Sequence, residues 1–226
     1  MHLLALDTAT DICGVALVTD GKVAARISLA LGHTHARELM GAVEWILGRV
    51  GLTPAQVDVF AVNQGPGSFT GLRIGISTAK GLAAAADKPL VGLSTLEVLA
   101  HQSPVGTDLI CPMIDARRAE VYWAIFQRQG EGLKVYTPSR VGPPEQVAAH
   151  IPGACTVIGN GVRTYAGVMS RHCSAELQWA PDHLNDLCPG VLARLAYHQW
   201  QSGRYQEGLD VAPVYIRRSD ARLPAV

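Results

Sequence analysis

Apolar and polar positions divide the chain into short strand-like runs, glycine turns and a few stretches at helical period. Leu3-Leu4-Ala5-Leu6 runs into Asp7-Thr8-Ala9-Thr10, and after a turn comes Val15-Ala16-Leu17-Val18. Asp20-Gly21 between apolar runs is a two-residue hairpin signal, so 22–31 reads as a third strand. From His35 to Val50 the apolar residues Leu39, Val43, Ile46, Leu47 and Val50 recur at about 3.6 residues, the mark of an amphipathic helix. Gly51 ends it as a C-terminal cap would. Thr53-Pro54 opens a short turn. Positions 57–63 read as a buried strand, 72–86 as a helix, 89–92 as another strand, and Ser94 caps a last short helix.

A second, thinner copy follows. Ile110-Cys111-Pro112-Met113-Ile114 ends on Asp115, and a turn leads to Trp123-Ala124-Ile125-Phe126. Asp7 and Asp115 are separated by the same offset as Ala16 and Ala124. This second hairpin spans 109–135 and turns at Gly130-Glu131-Gly132. Pro143-Pro144 opens a helix reaching His150, and 156–158 is a strand meeting Gly159-Asn160-Gly161, where the first half has its own glycine loop. Pro189 opens a helix to about residue 200, and a polar tail follows. Long-period self-similarity signals duplication. Three antiparallel strands, helix, strand, helix, strand is the ribonuclease-H-like unit. Two of them predict an α/β, two-lobe architecture of the actin, Hsp70 and sugar-kinase kind. The expected lobes are 1–102 and 103–226, with helix 189–203 free to return to the first.

Composition narrows the function. With 226 residues, 48% hydrophobic content, 17% charge and zero net charge, the chain can build real cores. It has no basic stripe for gripping RNA by itself. No apolar run is long enough to span a bilayer, and no leader precedes the first strand. Five cysteines without a C-x-x-C pair read as packed thiols of a cytosolic protein.

Candidate chemistry is sparse. Gly65-Pro66-Gly67-Ser68-Phe69-Thr70-Gly71 between strand and helix could offer backbone N–H groups to an anion. It could equally be a tight turn. It is neither a Walker A loop nor a dinucleotide fingerprint. Asp7 and Asp115 could flank a nucleotide, but neither turn after them holds a glycine, which favours acids that cap turns. Asp7, Gly65, Gly67, Ser68 and Asp115 therefore form at most a vestigial anion or nucleotide site. His33 and His35 do not make the i, i+4 pair a helical metal site needs, because Leu39 stands four residues after His35. Neither a metal nor a cofactor is implied, and no nucleophile has a base at a suggestive spacing.

Two helices suggest a partner instead. Helix 35–50 carries Met40 and Trp45 away from its apolar stripe. In helix 72–86, Gly75, Ala79 and Ala83 form a small-residue ridge flanked by Leu72, Ile76 and Leu82, and the helix is apolar nearly all round. A second reading leaves that ridge buried in its own lobe.

The chain resembles the TsaB/YeaZ family. The likeness rests on Leu4 to Thr10, His35 to Leu39, Gly65 to Gly75, Ile114-Asp115-Ala116-Arg117, Glu120-Val121-Tyr122 and Pro213 to Arg217. It runs the length of the chain and is weakest over 150–185. The resemblance implies a non-catalytic subunit in threonylcarbamoyladenosine synthesis on tRNA, paired through its first two helices with the catalytic paralogue TsaD. That paralogue carries a His-x-x-x-His metal site, which Leu39 interrupts here. The resemblance also implies the ATPase TsaE as a further partner, self-association through the same helices, and tRNA contact only through the complex. The residues implied at that surface are His35, Leu39, Met40, Val43, Trp45, Leu72, Gly75, Ile76, Ala79, Leu82 and Ala83. An enzyme acting alone, either an ATP-dependent phosphotransferase or a metallopeptidase, is the other class left open by the residues.

Overall fold

The computed structural model describes residues 1–30, 32, 35–104, 106–130, 132–204 and 210–217. His33, Glu131 and the tail beyond residue 217, all read above, lie outside these. The elements are β1 (His2–Asp7), β2 (Cys13–Thr19), β3 (Lys22–Leu29), α1 (His35–Val50), β4 (Val59–Gly65), α2 (Phe69–Ala86), β5 (Leu90–Ser94) and α3 (Thr95–Gln102), followed by β6 (Leu109–Asp115), β7 (Val121–Gln129), β8 (Gly132–Gly142), α4 (Pro144–His150), β9 (Cys155–Ile158), α5 (Gly161–His172), β10 (Leu177–Trp179) and α6 (Pro189–Gln201).

Two five-stranded sheets repeat one order. The first runs β3-β2-β1-β4-β5, and the second runs β8-β7-β6-β9-β10. In both, the first three strands are antiparallel and the fourth and fifth join parallel. This is a duplicated ribonuclease-H-like fold, with Asp7 and Asp115 ending equivalent strands. The Ala16–Ala124 equivalence is off by one residue. Ala16 faces Ala5, whereas the residue facing Met113 is Trp123, because the second turn is one residue shorter. Asp20 and Gly21 both adopt positive φ, 48° and 78°, as a two-residue hairpin requires.

Leu3, Leu4, Ala5 and Leu6 of β1 are all fully buried, so both faces of the first sheet are covered. The helices α1 and α2 touch each other on one side of this sheet, and α6 and α3 touch on the other. Pro189 at the start of α6 lies against Gly14 of β2, where a Cβ would sit 3.1 Å from the proline ring. The α3 helix also packs on β6, β7 and β8. Through it, Ile110, Ile114, Ala124 and Phe126 of the second sheet join the first lobe's core. The opposite face of the second sheet buries Cys111, Met113, Trp123 and Ile125 against Val147 and Met169, from α4 and α5.

Several boundaries differ from the sequence reading. The β4 strand sits two residues later than expected, and α2 begins at Phe69 because Ser68 caps it, accepting a hydrogen bond from the Gly71 N–H at 3.2 Å. The β8 strand continues past residue 135 to Gly142. The sequence reading missed α5 and β10. Among the described residues no helix is long and apolar enough to cross a membrane.

Candidate functional site

The duplicated strands end at a cleft of about 390 Å³, lined among others by Thr10, Ser68, Asp115, Arg117, Asn160 and Arg217. Asp115 faces it. Asp7 does not, and it is fully buried behind the turn that follows it.

That turn packs against the glycine loop and α2, and Gly67, Ser68 and Thr70 also line the cleft. Thr8 Oγ1 donates to the Gly71 carbonyl at 2.7 Å, and the Ser68 N–H donates to the Ala9 carbonyl at 2.7 Å. A Cβ on Gly67 would strike the Ala9 carbonyl, one on Gly71 the Thr8 carbonyl, and one on Gly75 the Thr8 hydroxyl. Gly65, with φ 114°, lets the Val214 carbonyl approach, and a Cβ there would sit 2.9 Å from it. The glycines therefore serve close packing of backbone on backbone, and Gly65, Gly67 and Ser68 contact the chain itself.

Asp7 Oδ1 accepts from the Ala9 N–H at 3.0 Å and from Asn63 Nδ2 at 2.9 Å. Burial pushes its carboxyl above the usual carboxylate range, against the hydrogen bonds from Asn63 and Ala9 and the nearby His35. Burial likewise raises the Cys13 thiol to about 11, with Asp7 and Glu38 adding to it. In the second lobe, Asp115 Oδ1 accepts from the Arg117 N–H at 2.8 Å, the same cap two residues on, and its own N–H donates to Asn160 Oδ1 at 2.9 Å. There the turn is left-handed at three successive non-glycine residues, Arg117, Arg118 and Ala119, with φ of 61°, 56° and 58°. Such residues store on the order of 1 kcal/mol each.

The cleft's described cations have partners. Arg117 reaches Asp11 of the first lobe at 3.3 Å and Asp115 at 3.5 Å. Arg217 pairs with Glu120 and donates to the Ala116 carbonyl at 2.9 Å. Arg217 belongs to a strap that sequence reasoning missed. Val214 N–H donates to the Gln64 carbonyl at 2.7 Å, and Tyr215 stacks on Phe69 with Arg73 beside both rings. The strap thus runs from the first lobe onto the second lobe's turn. Pro213 to Arg217 had a sequence signal only as a family motif.

The residues expected at a partner surface divide sharply. His35, Leu39, Val43, Leu72, Gly75, Ile76, Ala79 and Ala83 are buried in the first lobe's own core, so the small-residue ridge faces inward. Met40 and Trp45 are exposed, at 39% and 52%, and Leu82 is half-buried. The outward side of α2 carries Arg73, Ser77, Gly81, Ala84 and Ala85. Among the described residues, no group of three or more His, Cys, Asp or Glu is placed to hold a metal.

A family model described as "TsaD: tRNA N6-adenosine threonylcarbamoyltransferase" matches residues 30–161. The Escherichia coli "tRNA threonylcarbamoyladenosine biosynthesis protein TsaB" is 42% identical over 135 residues, covering 59% of this chain and 58% of that protein, so this match spans less than two thirds of the relative's length. The Haemophilus influenzae protein of the same name is 31% identical, covering 96% of this chain and 94% of its own length. The solved "YeaZ from Pseudomonas aeruginosa" superposes with a TM-score of 0.82 at 32% identity, covering 95% of this chain and 99% of that one. These full-length likenesses, on a duplicated fold whose glycine loop is packed by its own chain, show that the chain belongs to the TsaB/YeaZ family.

Proposed function

We propose that this protein is a non-catalytic scaffold subunit in threonylcarbamoyladenosine synthesis on tRNA, working in the cytoplasm by holding the catalytic paralogue TsaD. The observation that carries the reading is the packed glycine loop. Transfer chemistry needs phosphates or a metal held in fixed geometry. Here the Thr8–Ala9 backbone packs directly on the glycines of the loop, and Arg117 and Arg217 at the cleft are engaged with Asp11, Asp115 and Glu120. TsaE joins at the same pair, and tRNA is met only through the complex.

The partner surface in this proposal is the outward side of α1 and α2. Trp45, with the Arg49 guanidinium 5.2 Å over its ring, and Met40 supply apolar area. Gly81, with open space around it, lets a second helix come close. In the absence of TsaD the same surface would pair two copies of this chain. The test is Trp45→Ala and Gly81→Arg, both on exposed positions that leave the core untouched. Each should keep the wild-type circular dichroism, shift size-exclusion elution toward the monomer, weaken TsaD capture at least tenfold, and fail to restore the tRNA modification in cells lacking the native subunit. Near-native TsaD binding by both variants places the interface elsewhere. Stoichiometric Mg-ATP binding in calorimetry would overturn the non-catalytic reading.

A further inference from the structure

Among the buried oxygens of the first lobe without a hydrogen-bond partner, which also include Thr95 Oγ1, are Asp7 Oδ2 and Asn63 Oδ1. They belong to side chains already joined by the 2.9 Å bond from Asn63 Nδ2 to Asp7 Oδ1. The parallel register of β1 and β4 sets Leu6 beside Val62, which brings the next residues, Asp7 and Asn63, side by side. Asp7 is fully buried and Asn63 is 1% exposed. An ionised carboxylate can only accept hydrogen bonds, so it would leave both oxygens as bare acceptors. A carboxylic acid has one O–H to donate. Buried polar atoms are almost always paired, and a proton on Asp7 Oδ2 would supply the donor this pair of acceptors lacks.

We propose that Asp7 is protonated in the folded protein at neutral pH and forms a cyclic acid–amide pair with Asn63. Its Oδ2–H donates to Asn63 Oδ1 while Asn63 Nδ2 donates back to Asp7 Oδ1. The surroundings agree. The following turn supplies the Ala9 N–H, β2 supplies the Cys13 thiol, and Thr8 packs on Gly71 and Gly75 of α2. The titratable side chains in electrostatic reach on α1 are His35, itself 6% exposed with its Nδ1 unpartnered, and Glu38 beyond it. Among the described residues no arginine or lysine is hydrogen-bonded to Asp7. Desolvation and the two orphan oxygens act in the same direction. The proton makes the strand-end acid a structural hydrogen-bond donor, and in this state it carries no charge to offer a cation.

The sign of the pH dependence follows. An acid that keeps its proton on folding while the unfolded chain releases it above about pH 4 lowers stability as pH rises, by up to a factor of ten in the folding constant per pH unit. Asp7→Asn replaces the O–H by an N–H and keeps both hydrogen bonds. The wild type should therefore lose folding equilibrium constant relative to Asp7→Asn between pH 4 and pH 7, about tenfold per unit, measured by urea unfolding. A flat or rising wild-type curve relative to the variant would falsify the proposal. Should Asp7→Asn fail to fold, carbon-13 NMR of the wild type labelled at aspartate decides alone. The expected result is one buried carboxyl whose Cγ resonance stays at the protonated position at pH 7. All eleven aspartate carboxyls ionised at pH 7, with none at the protonated position, overturns it.

Discussion

In the first lobe the strand-end acid is sealed, and in the second it stands open. Asp7 and Asp115 end equivalent strands, and each caps the N–H two residues on. Behind Asp7 the turn lies flat on α2, so Thr8 and Ala9 exclude solvent and leave Asn63 as the side-chain partner. Behind Asp115 the turn stands up in a left-handed run and holds Arg117 and Arg217 over the cleft. The same hairpin therefore yields a buried polar pin in one lobe and a charged surface in the other. What differs is the helix after the fourth strand. The glycines of α2 admit the turn, whereas at Gly161, the start of α5, the neighbour is the Met113 carbonyl of its own first strand, which an added Cβ would approach to 3.0 Å.

The contrast can be broken most forcefully at the glycines. Gly71→Ala forces a methyl into the Thr8 carbonyl and should cost about 3 kcal/mol or prevent folding, whereas Gly161→Ala should cost about 1 kcal/mol. Urea midpoints of the two variants read the difference, and equal losses would dissolve the distinction drawn between the lobes. Next come the acids. Asp7→Ala strands the Asn63 amide and the Ala9 N–H in the core, for a loss of about 2 kcal/mol near neutral pH. Asp115→Ala releases groups that water can reach, for about 0.5 kcal/mol. Thermal melts should rank them in that order. A smaller effect of opposite sign is expected at Ala119→Gly, which relaxes one left-handed residue and should stabilise by about 0.5–1 kcal/mol. Smallest of all is Arg117→Ala. Its pair with Asp11 is exposed on both sides, 67% and 56%, so its loss should shift the melting temperature by no more than about a degree or two.

Much of this was legible before folding. The Asp-Gly hairpin, the period of α1, the Ser94 cap and the paired strand-end acids all depend on neighbours in sequence. The missed features depend on distant partners. Asn63 becomes the mate of Asp7 only through a parallel register between strands 56 positions apart in the chain. The ridge of Gly75, Ala79 and Ala83 was visible as a pattern, but a helix apolar on nearly every side does not say which side meets its own sheet. The Thr8 hydroxyl decides it. Helix α5 had its signal, with Val162, Tyr165, Ala166 and Met169 at helical spacing, obscured by Gly161 and Gly167. The strap had no periodicity, because its hold on the first lobe is made by backbone atoms and one stacked tyrosine.

The return of α6 to the first sheet sets the order in which this molecule can be finished. Strands β1 and β2 leave the ribosome well before α6, yet one apolar side of the sheet they build waits for Leu192, Ala193 and Ala196, which are translated far later in the chain and end fully buried. At typical synthesis rates of roughly 5–20 residues per second, that side is uncovered for about ten seconds or more. For that interval the nascent chain carries an exposed, strand-rich surface, and a holding chaperone bound there would be released by the arrival of a single helix.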